Sequence, residues 1–102
     1  MHRKNADRAD RAVTHAYPKQ EDAQTIALTV IGWIVADTGR AERFLAMTGL
    51  DPDQLRAGIG ENAIQAAAID FLLGHEPDLI ACASAIGEKP ETIAAARQGI
   101  AG

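Results

Sequence analysis

Cysteine is almost absent from this sequence: Cys82 is the single one in 102 residues, so no disulfide can form within the chain. It falls in an apolar helical run, where a free thiol behaves as a small hydrophobe. A cytoplasmic location is the expectation. Aromatics are scarce as well, with one Trp, one Tyr and two Phe. That argues against a β-sandwich filled by large rings and for close packing of Ala, Ile and Leu between helices. No long hydrophobic run is present either: the longest uncharged stretch, Ala23 to Ala36, has 14 residues, short of the ~20 that a membrane-spanning helix needs. It follows a polar N-terminus without the apolar region of a signal peptide, so it reads as a core helix.

The chemistry-bearing residue types are equally thin. His2, His15 and His75 are too scattered for a metal site, no glycine-rich phosphate loop follows a strand, and Cys82 has no activating base near it in sequence. The expectation is no catalytic residue, no cofactor and no metal. The densest titratable cluster is Asp70, His75, Glu76 and Asp78. A solvated helix corner with Asp78 near a helix N-terminus accounts for it.

Charge is unevenly divided. Residues 1–20 carry five cations, Arg3, Lys4, Arg8, Arg11 and Lys19, against two carboxylates, a net +3. The remaining residues carry five cations against twelve carboxylates, a net −7. An acidic body argues against phosphate-backbone binding as the main activity. The basic tail could rest on the protein's own acidic surface or on an anionic partner; as a sequence it has no apolar periodicity beyond Ala12, Val13, Ala16 and Tyr17, and it reads as disordered in isolation.

What is present is a near-repetition. Trp33 and Phe71, Ile34 and Leu72, Gly49 and Gly87, Pro52 and Pro90, and Leu55 and Ile93 all lie 38 residues apart. Residues 23–59 therefore read as a three-helix unit and residues 61–97 as a second. Either the unit is duplicated about a pseudo-two-fold axis, or the two corners arose separately because Gly ends helices and Pro starts them.

The chain divides into a basic tail, residues 1–20, and a single helical domain, residues 21–102. The fold class is all-α, about six short helices in a compact array. Helix 1 runs from Glu21 to about Ala36, with Ala23, Ile26, Ala27, Val30, Trp33 and Ile34 on one face and Leu28, Ile31 and Val35 on another. The strip Thr25, Thr29, Gly32 and Ala36 is small enough for close approach of another helix. Helix 2, capped by Asp37 or Thr38, turns Phe44, Leu45 and Met47 inward and ends at Gly49. Asp51-Pro52-Asp53-Gln54 predicts a capping box opening helix 3. Helix 4, from about Glu61 to Leu73, turns Ile64, Ala67, Ala68, Phe71 and Leu72 inward. Helix 5 opens at Pro77 with Leu79, Ile80, Cys82, Ala83 and Ile86 apolar, and helix 6 opens at Pro90 with Ile93, Ala96 and Ile100. Trp33 and Phe71 are expected at related positions on helices 1 and 4, mostly buried and each beside the helix that ends in Gly49 or Gly87. Leu28, Ile31 and Val35 are expected either to be enclosed by helices 4 to 6 or to be buried in a homodimer.

The corner from Phe44 to Arg56 resembles the first helix and turn of helix-turn-helix proteins, as does the spacing of Ala83, Gly87 and Ile93. The candidate recognition helices offer only Arg56 and Arg97, too few cations for a DNA reader. Over residues 20–100 the chain resembles a family of short alphaproteobacterial proteins known only as a domain of unknown function. The resemblance is carried by Asp22-Ala23, Ala27-Leu28, Arg43 to Arg56, Asp70 to Leu73 and Pro90 to Arg97. It implies an all-helical, cytoplasmic protein and supplies no activity. The function expected is therefore a protein-binding adaptor or regulator with a protein partner. A helix-turn-helix nucleic-acid-binding regulator is the second reading and an enzyme the third; no membrane association is expected.

Overall fold

The computed structural model describes residues 19–101, and helices are its only regular elements there. They are α1 (Gln20–Val35), α2 (Thr38–Thr48), α3 (Pro52–Gly58), α4 (Asn62–Leu73), α5 (Glu76–Ile86) and α6 (Pro90–Gln98). The all-α expectation holds in number and order. The tail assigned to residues 1–20 lies outside the described residues up to Pro18, and Gln20 already belongs to α1.

The helix ends follow from local chemistry. Asp37 caps α2 by accepting from Arg40 N at 2.9 Å, and Gly49 ends that helix at φ 77°, a conformation that only glycine adopts freely. Asp51 and Gln54 form the reciprocal capping box of α3, at 2.8 and 2.9 Å. Pro52 and Pro90 sit in the first turn of their helices, where a missing N–H costs nothing. Gly87 repeats the left-handed stop of Gly49 at φ 74°. Lys89 stands where Asp51 stands in the first unit and makes no capping hydrogen bond.

The core lies between α1 and α4, the most extensively packed pair, with α6, α5 and α2 closing around them. Ala23, Ala27, Val30 and Ile34 of α1 meet Ala68, Ile69 and Leu72 of α4 and Ile93 and Ala96 of α6 in one buried cluster. Alanines on facing helices let the backbones approach, which is how a chain with few rings fills its interior. Phe44 and Phe71 supply the main bulk, meeting edge to face with centroids 5.4 Å apart. In contrast, α3 packs extensively against none of the other described helices and is held chiefly by the buried Leu55.

Trp33 is partly buried and packs against the core, in line with the mostly buried position expected of it; its ring lies under the Arg40 guanidinium, 3.7 Å from the centroid, and Arg40 also donates to Trp33 O at 2.7 Å. A cation thus covers the ring and the carbonyl end of α1. Two other inward assignments are corrected. Met47 and Ile80 are more than half exposed, because helical spacing names a face but not whether another helix reaches its edge. Conversely, α4 is more deeply buried than its spacing suggests, with Gln65, Ala66 and Ile69 also inside. Gln65 settles there by donating its amide to Ile59 O at 2.9 Å.

Candidate functional site

The strip Leu28, Ile31 and Val35 decides where the molecule is incomplete. Helices 4 to 6 do not enclose it: Ile31 is buried, but Leu28 and Val35 remain 41% and 45% exposed. They form one wall of a cleft of about 590 Å³ between α1, α2 and α3. Leu45 of α2 and Leu55 of α3 line it, and Ile59, 40% exposed, stands on the opposite rim. Gly32 opens the α1 wall, since a side chain built there would meet nothing within 4 Å. All four residues of the small strip Thr25, Thr29, Gly32 and Ala36 are exposed, and the two threonine hydroxyls turn back to carbonyls of α1.

The second unit shows how such a cleft is closed. Counting 38 residues on, Leu28 corresponds to the buried Ala66 and Arg56 to Ala94, and the equivalent helices α4 and α6 pack together where α1 and α3 do not pack extensively. Gly32 corresponds to Asp70 and Ile59 to Arg97, and these two form an ion pair at 2.9 Å across α4 and α6. The first unit has neither that packing nor the bridge. A volume of this size, apolar and bounded by three helices, is in the range that takes a ligand or a side-chain cluster of another molecule.

The rim is acidic. Asp37, Asp51, Asp53 and Glu61 are exposed and lie within two residues of lining residues. The one charged lining residue, Arg56, is paired with Asp53 at 2.8 Å.

The titratable cluster at the helix 4–5 corner does not converge. Asp70 faces Arg97, while Asp78 is shared by Arg43 at 3.1 Å and His75 Nδ1 at 3.0 Å. Glu76 is exposed, and among the described residues no group of three or more His, Cys, Asp or Glu could hold a metal. Arg43 also lies over the Phe71 ring, 5.4 Å from its centroid, so the Arg43–Asp78 pair ties α2 to α5 over the core. Cys82 is fully buried. Burial pushes its thiol up from 9.0 to about 11, against the lowering effect of the Arg40 charge and with a further rise from Asp78. The thiolate needed for nucleophilic or metal chemistry is thereby suppressed.

At the helix-turn-helix-like corners, Arg56 is held by Asp53 and Arg97 by Asp70. Neither candidate recognition helix presents a cation without a carboxylate beside it. The cleft, by contrast, had no sequence signal beyond the excess apolar residues of α1, because it depends on how far α3 stands from that helix.

Fold and cleft together define a small all-helical protein with an apolar, acid-rimmed surface cleft and no helix, among the described residues, long and apolar enough to cross a membrane. Residues 20–102 match the family described as protein of unknown function (DUF3572), and the chain belongs to that family. No curated protein and no solved structure matches it.

Proposed function

We propose that this is a cytoplasmic protein-binding adaptor or regulator without enzymatic activity, and that the cleft between α1, α2 and α3 receives an apolar segment of its protein partner. The observation that carries the reading is the difference between the units: Leu28, Val35 and Ile59 stay exposed around an open cleft, whereas at the equivalent positions Ala66 is buried and Asp70 and Arg97 bridge the packed pair α4 and α6. An apolar opening that the same chain closes elsewhere costs stability by leaving aliphatic surface in water, which a partner's side chains would recover. The acidic rim favours a partner segment with basic residues beside its apolar ones. Nucleic acid is the weaker reading, since the rim would repel phosphates and the cations of both corner helices are already paired.

The test is capture from lysate by three full-length baits: the natural chain, Leu28→Glu with Val35→Glu, and Ile80→Glu as an exposed apolar control away from the cleft. Proteins retained by the natural chain and the control but lost by the cleft variant support the reading. A set of captured proteins indifferent to the cleft substitutions refutes it, and nuclease-sensitive capture would favour the nucleic-acid reading.

A further inference from the structure

What the cleft offers an occupant is apolar surface and almost no hydrogen bonding. Its lining side chains are aliphatic except Arg56, whose guanidinium is turned to Asp53 at 2.8 Å. The backbone of the α1 wall is committed to its own helix. An extended segment laid against that wall finds no partners there for its N–H and C=O groups, and no strand edge is present among the described residues to pair with it. A helix brings its backbone hydrogen bonds with it.

The α1 wall also has the spacing that a second helix meets. Leu28, Ile31, Gly32 and Val35 stand at i, i+3, i+4 and i+7, a stripe about 10 Å long. The exposed Leu28 and Val35 rise at its ends, and between them Gly32 leaves a gap in which an added Cβ would meet nothing within 4 Å. One side chain of a docked helix fits that gap, and those a turn away on either side lie against Leu28 and Val35. The core stripe of the same helix, Ala23, Ala27, Val30 and Ile34, receives α4 and α6 by equivalent spacing.

Charge selects the source of the helix. Within two residues of lining positions, Asp37, Glu42, Asp51 and Glu61 are exposed and form no ion pair among the described residues. The cations equally near are engaged: Arg40 with the Trp33 ring and carbonyl, Arg43 with Asp78 and Arg56 with Asp53. A second copy docked face to face would set the two groups of carboxylates against each other. A cationic segment is attracted by the same four groups.

We propose that the occupant is a basic amphipathic helix of a partner protein, lying along α1 with apolar anchors at i, i+3 or i+4, and i+7 over Leu28, Gly32 and Val35, and with Lys or Arg on its flanks toward Asp37, Glu42, Asp51 and Glu61. The proposal rests on the reading of the cleft as a partner site and adds the conformation, spacing and charge of what enters it.

The probe is a phage-displayed library of random peptides of about 16 residues, more than four helical turns, selected on the full-length natural chain. Enriched peptides should share the apolar spacing and a net positive charge. Titrated by fluorescence anisotropy, they should bind Leu28→Glu with Val35→Glu at least about tenfold more weakly, although the two added negative charges would tighten binding by charge alone. Ile80→Glu, exposed and outside the cleft, should change Kd by less than about twofold. Proline at the centre of the peptide should weaken binding about tenfold or more, because it breaks a helix interior. Glu42→Gln with Glu61→Gln should weaken it about threefold at low salt and hardly at all at about 0.5 M. Enrichment of acidic or alternating apolar peptides, binding that tolerates the central proline or is tightened by the cleft variant, or no enrichment would overturn the proposal. A homodimer in light scattering that the cleft variant abolishes would overturn it too. Cleft-dependent capture from lysate beside any of these peptide outcomes would leave the partner site standing and remove only the basic helix, whereas capture indifferent to the cleft would remove the site itself.

Discussion

Gln24 donates its side-chain amide to the Asn62 carbonyl oxygen at 3.1 Å, and the two residues are 38 positions apart. That separation is also the one between Val35 and Leu73, which end α1 and α4, between Thr38 and Glu76, which start α2 and α5, between the left-handed Gly49 and Gly87, and between Pro52 and Pro90. The contact lies where the two halves of this 38-residue echo meet, in the α1–α4 pair, the most extensively packed among the described helices.

The Gln24–Asn62 contact should therefore couple the units energetically. In a double-mutant cycle with Gln24→Ala and Asn62→Ala, the coupling expected is about 0.5–1.5 kcal/mol, the usual net worth of a hydrogen bond. Urea unfolding of the four proteins measures it. Additive losses would mean that the pair is held by solvent-facing geometry and contributes nothing to the α1–α4 contact.

The two aromatic positions at equivalent places should behave differently. Phe71 is buried against Phe44, and Phe71→Ala should cost about 3–5 kcal/mol. Trp33 is partly exposed beneath Arg40, so Trp33→Ala should cost no more than about half of that, mainly through lost cation–π and aliphatic contact. Equal losses in thermal or urea unfolding would contradict the different burial of the two rings.

The contrast shows what the sequence could and could not convey. Helix boundaries were legible because they are set by single residues acting locally: Asp37, Gly49, the Asp51–Gln54 box and Pro90 each do in the structure what their side chains or backbone freedom predict. Faces were less legible, because burial depends on a neighbour that the sequence does not place. Met47 and Ile80 carry the right spacing but stay more than half exposed, and Gln65 is polar yet buried because Ile59 O lies within reach. Least legible was the cleft. Its α1 wall showed as an excess of apolar residues, but its existence rests on α3 not packing extensively on α1, where the equivalent α4 and α6 pack together, and no single residue announces that spacing.

The cap of α6 is open to improvement. Lys89 occupies the N-cap without a side-chain hydrogen bond, whereas Asp51 at the equivalent corner caps α3 at 2.8 Å. Lys89→Asp should stabilise the protein by about 0.5–1 kcal/mol through the new cap and the favourable charge at the helix start. Asp51→Ala should cost about 1 kcal/mol. A destabilised Lys89→Asp protein in a melting experiment would show that the two corners differ in more than the capping side chain.

Alkali should weaken the fold through Cys82. Its thiol is raised to about 11 in the folded protein from the 9.0 of an exposed cysteine. The unfolded chain therefore releases this proton first: the contribution is fully present below pH 9 and is lost as pH rises towards 11, with a loss on the order of 2 kcal/mol. The sign is that of an acid kept neutral by burial. Comparing urea unfolding of the natural chain and Cys82→Ala at pH 7 and above pH 10 isolates this contribution from lysine and tyrosine titration. The difference between the two proteins should shrink or reverse on going to alkaline pH, and a difference that is independent of pH would exclude the effect.

The sealed unit also supplies a recipe for closing the open one. Gly32→Asp with Ile59→Arg copies the Asp70–Arg97 bridge into the equivalent positions, and the space beside Gly32 admits the new side chain. Asp is a better helix former than Gly, while the exposed half of Ile59 limits what its replacement loses, so stability should change by no more than about 1 kcal/mol. Binding of an apolar fluorescent dye such as anilinonaphthalene sulfonate should fall relative to the natural chain, and the partner captured through the cleft should be lost with it. Each single substitution introduces a charge without its partner and should reduce dye binding less than the pair does. Undiminished dye binding by the double variant would mean that the bridge is not what distinguishes the packed α4–α6 pair from the open α1–α3 one.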